Sequence, residues 1–341
     1  MTRNTPHINT HPAITTWIWV CAGFVFAMII IGAITRLTES GLSMVEWRPL
    51  IGALPPMNET EWNRVFTLYQ DSPEYQKKNF WMSIEDFKTI FFWEWFHRFW
   101  GRMIGLVFAL PLVFFWLRGM IPAGYKAKFI GLLILGGLQG LMGWYMVKSG
   151  LVDVPAVSHF RLSAHLSLAF IILCALTWVG LSLKNTARKF HFCLLRHGSI
   201  ALFFVALTAI WGAFVAGMDA GLIYNEYPKM GTGLVPPDMW HLEPAWQNII
   251  KNAAAIQFTH RWLAIAAAIM TLTFSFRAIK SGYKQARYHA AGGMVVLQVG
   301  LGIATLLSGV HLHIAVIHQA GAAILLMLMT ACIHGLSGKR N

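Results

Sequence analysis

Four of the fourteen histidines, His97, His165, His260 and His318, lie in long apolar runs and fall into register when the chain is laid over itself. "EWFHRFW" (Glu94–Trp100) aligns with "QFTHRWL" (Gln257–Leu263), and "LQGLMGWYMV" (Leu138–Val147) with "LQVGLGIATL" (Leu297–Leu306); after a connection six residues shorter in the second half, His165 then matches His318. Two imidazoles from two helices of one bundle are what the two axial positions of a haem iron require. Competing metal sites fail on ligand count. A carboxylate-bridged di-iron bundle needs about four inward carboxylates, whereas Glu94 is the one acid placed inside an apolar run. Zinc needs a third protein ligand beside each pair, and no clustered histidine box of the membrane di-iron hydroxylase kind is present. Bis-histidine haem remains, one pair in each half.

The charged neighbours of these histidines divide into two sets. Arg98 and Arg261 directly follow His97 and His260; a guanidinium there suits a haem propionate, being permanently charged and bidentate, although snorkelling to the membrane surface also explains it. Glu94 precedes His97 by three and shares its helix face, which puts a carboxylate beside whatever His97 ligates. It could relay protons or stabilise positive charge on a carbon being oxidised, and both roles stay open. So does an ion pair with Arg98, four residues on. The second half has Gln257 in its place. Losing the titratable group there fits one reactive haem and one that only carries electrons.

These residues need helices at membrane depth, and the composition supplies them. The chain is 56% hydrophobic and 12% charged over 341 residues, where soluble domains carry about a quarter charged residues. Crossing a hydrocarbon core of roughly 30 Å takes about 20 residues of helix. Runs of that kind lie near 17–35, 92–117, 127–147, 160–182, 199–218, 254–276, 290–309 and 313–335, predicting eight transmembrane helices. The backbone has no partners in lipid, so spans this apolar must be helical. The expected fold is an all-α integral membrane protein made of two pseudo-symmetric four-helix bundles in parallel repeat. A third alignment, "GAITRLTESGLSMVEWRPLIGALPP" (Gly32–Pro56) over "GAFVAGMDAGLIYNEYPKMGTGLVPP" (Gly212–Pro237), supports the repeat. The parts are a tail over 1–16, an N-terminal bundle over 17–183 with a long outer loop at 37–90, a linker over 184–198 and a C-terminal bundle over 199–336.

The excess of 27 Lys and Arg over 14 Asp and Glu is topological. Arg118, Lys126, Lys128, Lys184, Arg188, Lys189, Arg196, Arg277, Lys280, Lys284 and Arg287 occupy alternate connections that contain no acid, and the acids lie in or beside the others. By the positive-inside rule both termini are expected in the cytoplasm, and the four histidines toward the outer side; a nucleic-acid partner is not expected. The four cysteines fall within spans or on the inner side, which excludes outer-loop disulfides. The first apolar run is a full span with no cleavage site, so no signal or transit peptide is expected.

Together, the segment Gly32–Ser43, the "WRPLIGALPP" loop, ExxHR at 94–98, HR at 260–261 and "IHQAGA" (Ile317–Ala322) resemble haem A synthase of the CtaA/Cox15 type, over about 17–335. The resemblance implies an oxidoreductase that converts haem O to haem A, oxidising the C8 methyl group to formyl by successive hydroxylations, for use by cytochrome c oxidase. It implies that His97, His165 and Arg98 hold the substrate haem, that His260, His318 and Arg261 hold a haem b cofactor, and that Glu94 is the catalytic carboxylate. It also implies a bacterial inner-membrane location, with the sites toward the periplasm. Haem O synthase and an electron donor that the sequence does not identify are expected partners, in membrane lipid, and a homo-oligomer stays open. Lacking outer-loop cysteine pairs, the chain resembles the branch without them. The alternative is a di-haem b-type cytochrome that only transfers electrons, against which the Glu94/Gln257 asymmetry argues.

Overall fold

The computed structural model describes residues 11–46, 54–150, 157–184 and 188–338. Among them are eight helices long and apolar enough to cross a membrane: α1 (Pro12–Leu37), α3 (Ile84–Leu117), α4 (Lys126–Gly150), α5 (His159–Leu183), α6 (Phe192–Gly217), α8 (Ala253–Lys280), α9 (Ala286–Leu307) and α10 (Leu312–Leu336). Two shorter helices, α2 (Glu59–Gln70) and α7 (Asn248–Lys251), lie in the long connections. The protein is a multi-pass, all-helical membrane protein.

The helices start where the sequence offers caps. Ser83 begins α3 with a capping box, its hydroxyl accepting from Asp86 N while Asp86 accepts from Ser83 N, so both orphan donors are satisfied. This cap extends α3 back to Ile84, into the stretch assigned above to the first outer loop. Apolar periodicity could not see it, because the first turns are polar. Asn252 caps α8 by accepting from Ala254 N at 2.9 Å. At the other end of the chain α1 starts at Pro12, so the last residues of the expected tail are already helical. Lys339, Arg340 and Trp47–Ala53 of the "WRPLIGALPP" loop lie outside the described residues.

Helix α1 packs on α3 and α5, α4 packs on α5 and touches α3; α6 packs on α8 and α10, and α9 on α8 and α10. The two sets meet through α5 against α6 and α10, and α1 against α10. One buried apolar cluster runs through this junction, including Ile14, Ile18, Leu173, Leu176, Leu326 and Met329. Lipid supplies little hydrophobic force between helices, so dispersion and interhelical hydrogen bonds hold such a junction. Gln319 of α10 donates to Ile29 O at 3.0 Å, Ser163 of α5 to Ile210 O at 3.3 Å, and His334 Nε2 meets Ser182 Oγ at 3.0 Å.

A second, smaller cluster caps the end bearing the acidic loops. Tyr69, Phe87, Ile90 and Phe91 are buried there, with Trp62 and Phe66 of α2 packed against them, and the Tyr69 and Phe87 rings stack at 5.0 Å. The corresponding connection after α6 has only short turns and α7, organised around buried Asn248 and Asn252.

Candidate functional site

Each of the four histidines lies in the first half of its helix and rests against a glycine of a neighbouring one. A Cβ on Gly32 of α1 would stand 3.2 Å from His97 Cε1, and one on Gly143 of α4 would stand 3.1 Å from His165 Cε1. The corresponding distances are 3.0 Å from Gly212 of α6 to His260 and 3.0 Å from Gly302 of α9 to His318. A side chain at any of these positions would press on the ring, so glycine lets the imidazole approach the next helix closely. In the register of the alignments Gly32 falls over Gly212 and Gly143 over Gly302. The glycines were visible in the sequence; their contact with the histidines was not, because it crosses between helices.

Within each set of four helices the histidines form a couple: His97 and His165 lie close enough to interact electrostatically, as do His260 and His318. His260 Nδ1 donates to Thr208 O at 3.0 Å, which fixes the proton on Nδ1 and leaves Nε2 as a ligand atom. The Gln139 side-chain amide lies 3.3 Å from His165 Nε2. The Nδ1 atoms of His97, His165 and His318 are buried without a hydrogen-bond partner. Among the described residues no three His, Cys, Asp or Glu side chains cluster as a metal site. Two neutral nitrogens do not complete a zinc or di-iron centre, but they are the full protein share for an iron whose other four ligands come from a porphyrin. The glycine-backed pairs therefore fit haem.

Glu94 is buried, 2% exposed, and its carboxylate is fully engaged. Oε2 accepts from Met44 N at 2.6 Å and from Ser43 Oγ at 2.8 Å, and Oε1 pairs with Arg98 Nη2. Arg98 also donates to Met44 O at 3.0 Å and Glu46 O at 3.4 Å. The intrahelical ion pair allowed by the spacing is present, and it fixes the loop after α1 over the face that carries His97. The other half repeats the construction with an amide. Arg261 donates to Tyr224 O at 2.9 Å, Glu226 O at 3.0 Å and Gln257 Oε1 at 3.3 Å, and Gln257 Nε2 donates to Tyr224 O at 3.1 Å. In the alignment Met44 falls over Tyr224 and Glu46 over Glu226, so the two arginines grip corresponding carbonyls.

The structure thus brings Glu94, Arg98 and His97 together on α3, and Gln257, Arg261 and His260 on α8. Ser43 and the Met44 amide join the first set. Sequence reasoning missed both, because a backbone donor leaves no signature and Ser43 reads as a turn residue.

The sequence matches the family described as COX15-CtaA, cytochrome oxidase assembly protein, over residues 15–330. It is similar to proteins named heme A synthase from several bacteria. That of Rhodospirillum centenum is 49% identical over 328 residues, covering 94% of this chain and 88% of the relative. That of Nitrosospira multiformis is 44% identical, covering 94% and 91%, and that of Rhizorhabdus wittichii is 43% identical, covering 95% and 94%.

Proposed function

Because this chain belongs to the COX15-CtaA family of cytochrome oxidase assembly proteins, we propose that it is a haem A synthase, an oxidoreductase that converts haem O to haem A by oxidising the C8 methyl group to formyl. One observation carries the assignment of the reacting half. Two matching histidine pairs differ in the buried group one helical turn away, Glu94 in one and Gln257 in the other.

In this reading His97 and His165 bind the substrate haem, and His260 and His318 bind a haem b that passes electrons. Bound haem supplies the redox-active iron and, at the first site, the methyl carbon to be oxidised. The protein's part is positional and electrostatic. Gly32 and Gly143 leave room for the imidazoles, and Glu94 accepts or stabilises positive charge near the ring edge. The Met44 amide, Ser43 hydroxyl and Arg98 guanidinium hold its side chain in place. Arg98 and Arg261 hold the loops over each site, and their permanent charges, one residue past a ligand, attract the propionate edge of a haem on that side. An electron relay alone gives no reason to keep a carboxylate buried in one half only.

The distribution of Lys and Arg supports a bacterial inner-membrane orientation with both termini cytoplasmic and the haem sites toward the periplasm. Haem O arrives from haem O synthase, and the electrons pass to or from a separate redox partner. Pigment extraction from the purified protein tests the reading: haem O or haem A beside haem b is expected. Haem b alone in both halves, with no haem A made in cells, would sink it.

A further inference from the structure

The described residues bury two carboxylates, Glu94 at 2% and Glu74 at 5% exposure. Both belong to the first half, at the end that carries the acidic loops, and they lie within electrostatic reach of one another. Glu74 sits between α2 and the π-helical turn Tyr75–Asn79. Its Oε2 accepts from the buried Tyr69 hydroxyl at 3.1 Å, and that hydroxyl accepts from Asn79 Nδ2 at 2.7 Å. Tyr69 also feels the Glu94 charge. Toward water, Glu74 interacts with Glu39 and Lys78, a pair 4.0 Å apart whose side chains are 49% and 42% exposed. Toward the membrane, one cluster joins the two carboxylates: Tyr69, which bonds Glu74, belongs to the buried group against which Met44 packs, and the Met44 amide bonds Glu94. The second half buries Asn248, Asn252 and Gln257 at this end and no carboxylate among the described residues.

Burying an acid is costly unless it is paired and hydrogen-bonded, and the placement of this one answers a need of the reaction. Each hydroxylation of the methyl carbon moves protons whichever oxidant serves: with water as the oxygen source two electrons pass to an acceptor and two protons are released, and with dioxygen two electrons from a donor and two protons are taken up as one oxygen atom leaves as water. We propose that Glu74 is the proton-exchange group of the substrate site, passing protons between Glu94 and the aqueous rim at Glu39 and Lys78. A proton leaving the Glu94 side protonates Glu74, and Glu74 then gives it to water, so the relay ends each cycle with its charge unchanged. Burial pushes the Glu74 carboxyl from 4.5 up to about 7; the charges of Glu94 and Glu39 add to the rise, while the Tyr69 hydrogen bond and Lys78 oppose it. An acid titrating near neutrality is well matched to moving protons in both directions.

The proposal rests on Glu94 being the reactive carboxylate, and the test separates the two. Haem A formation from supplied haem O is measured across pH with the full-length membrane protein, the haem absorption spectrum serving as the check on folding and binding. Wild type should show an inflection near neutrality. Glu74→Gln should lose the inflection and fall about tenfold in rate, Glu74→Asp should keep an inflection at a shifted pH, and Glu94→Ala should fall about a hundredfold or more at every pH. Tyr69→Phe should move the inflection upward, since the hydroxyl donates to the ionised carboxylate; it and Glu74→Asp decide the matter if Glu74→Gln does not accumulate. An unchanged rate and inflection in Glu74→Gln, or an unmoved inflection in Tyr69→Phe, overturns the proposal.

Discussion

Met44 N donates to Glu94 Oε2 at 2.6 Å, so the loop after α1 is read by the carboxylate of α3 through its backbone. That carboxylate faces donors on every side: the Met44 amide, the Ser43 hydroxyl and Arg98. An amide cannot replace it in place, because its NH2 group would be turned toward a donor. Glu94→Gln is therefore expected to cost about 1–3 kcal/mol as well as activity. Glu94→Ala should retain haem b while haem A formation drops about a hundredfold or more. Haem extraction from cells expressing each variant checks this, and a normal haem A yield in Glu94→Ala would refute the catalytic role.

Under the proposed assignment of one haem to each histidine pair, the glycines behind the histidines offer a way to address each site separately. A methyl group at Gly302 would stand 3.0 Å from His318 Cε1, and overpacking of this kind costs about 1–3 kcal/mol when neighbours must move. Gly302→Ala should shift or abolish the haem b absorption bands and leave haem O binding intact; Gly143→Ala should do the converse through His165. Gly23, in α1 with nothing within 4 Å of its Cβ position, is the control, and Gly23→Ala should leave both spectra unchanged. Equal spectral effects of Gly143→Ala and Gly302→Ala would show that the histidine pairs do not serve separate haems.

Much of this was legible in the chain and some could not have been. Spans appeared because lipid admits only long apolar helices, and His97, His165, His260 and His318 stood out because the alignments placed them in register. Arg98 and Arg261 were read for their charge, yet most of their described bonds run to main-chain oxygens of Met44, Glu46, Tyr224, Glu226 and Lys229. Carbonyls are common to every residue, so no sequence pattern marks them. Glu74 was hidden for a related reason: it lies in a polar stretch that reads as exposed loop, and only the folding of α2 onto Phe87 and Phe91 buries it.

Burial of Glu74 also makes a stability prediction. Its carboxyl rises from 4.5 to about 7, chiefly by loss of water, so the folded cap binds the proton more tightly than the unfolded chain does. The sign follows from linkage: this contribution is fully present below about pH 4.5, declines as the pH rises and is lost above about pH 7. Hydrogen exchange of the α2 amides should therefore quicken relative to the α5 core between those limits, beyond the intrinsic rise with pH. In Glu74→Gln the extra acceleration should vanish; if it persists, another group titrates there.

A last expectation concerns the bond that ties α1 to α6. Arg36 Nη2 donates to Ala216 O at 2.6 Å and to Asp219 Oδ1 at 2.8 Å, with the two side chains 26% and 55% exposed. An ion pair this open to water contributes about 0–1 kcal/mol, whereas the bond to the carbonyl satisfies a helix C-terminal group with no intrahelical donor. Asp219→Asn should therefore leave thermal stability in detergent nearly unchanged, and its small effect should disappear at high salt. Arg36→Ala removes both bonds and should cost about 1–2 kcal/mol, read as a lower unfolding midpoint. Equal losses from the two variants would mean that the ion pair, and not the carbonyl bond, joins these helix ends.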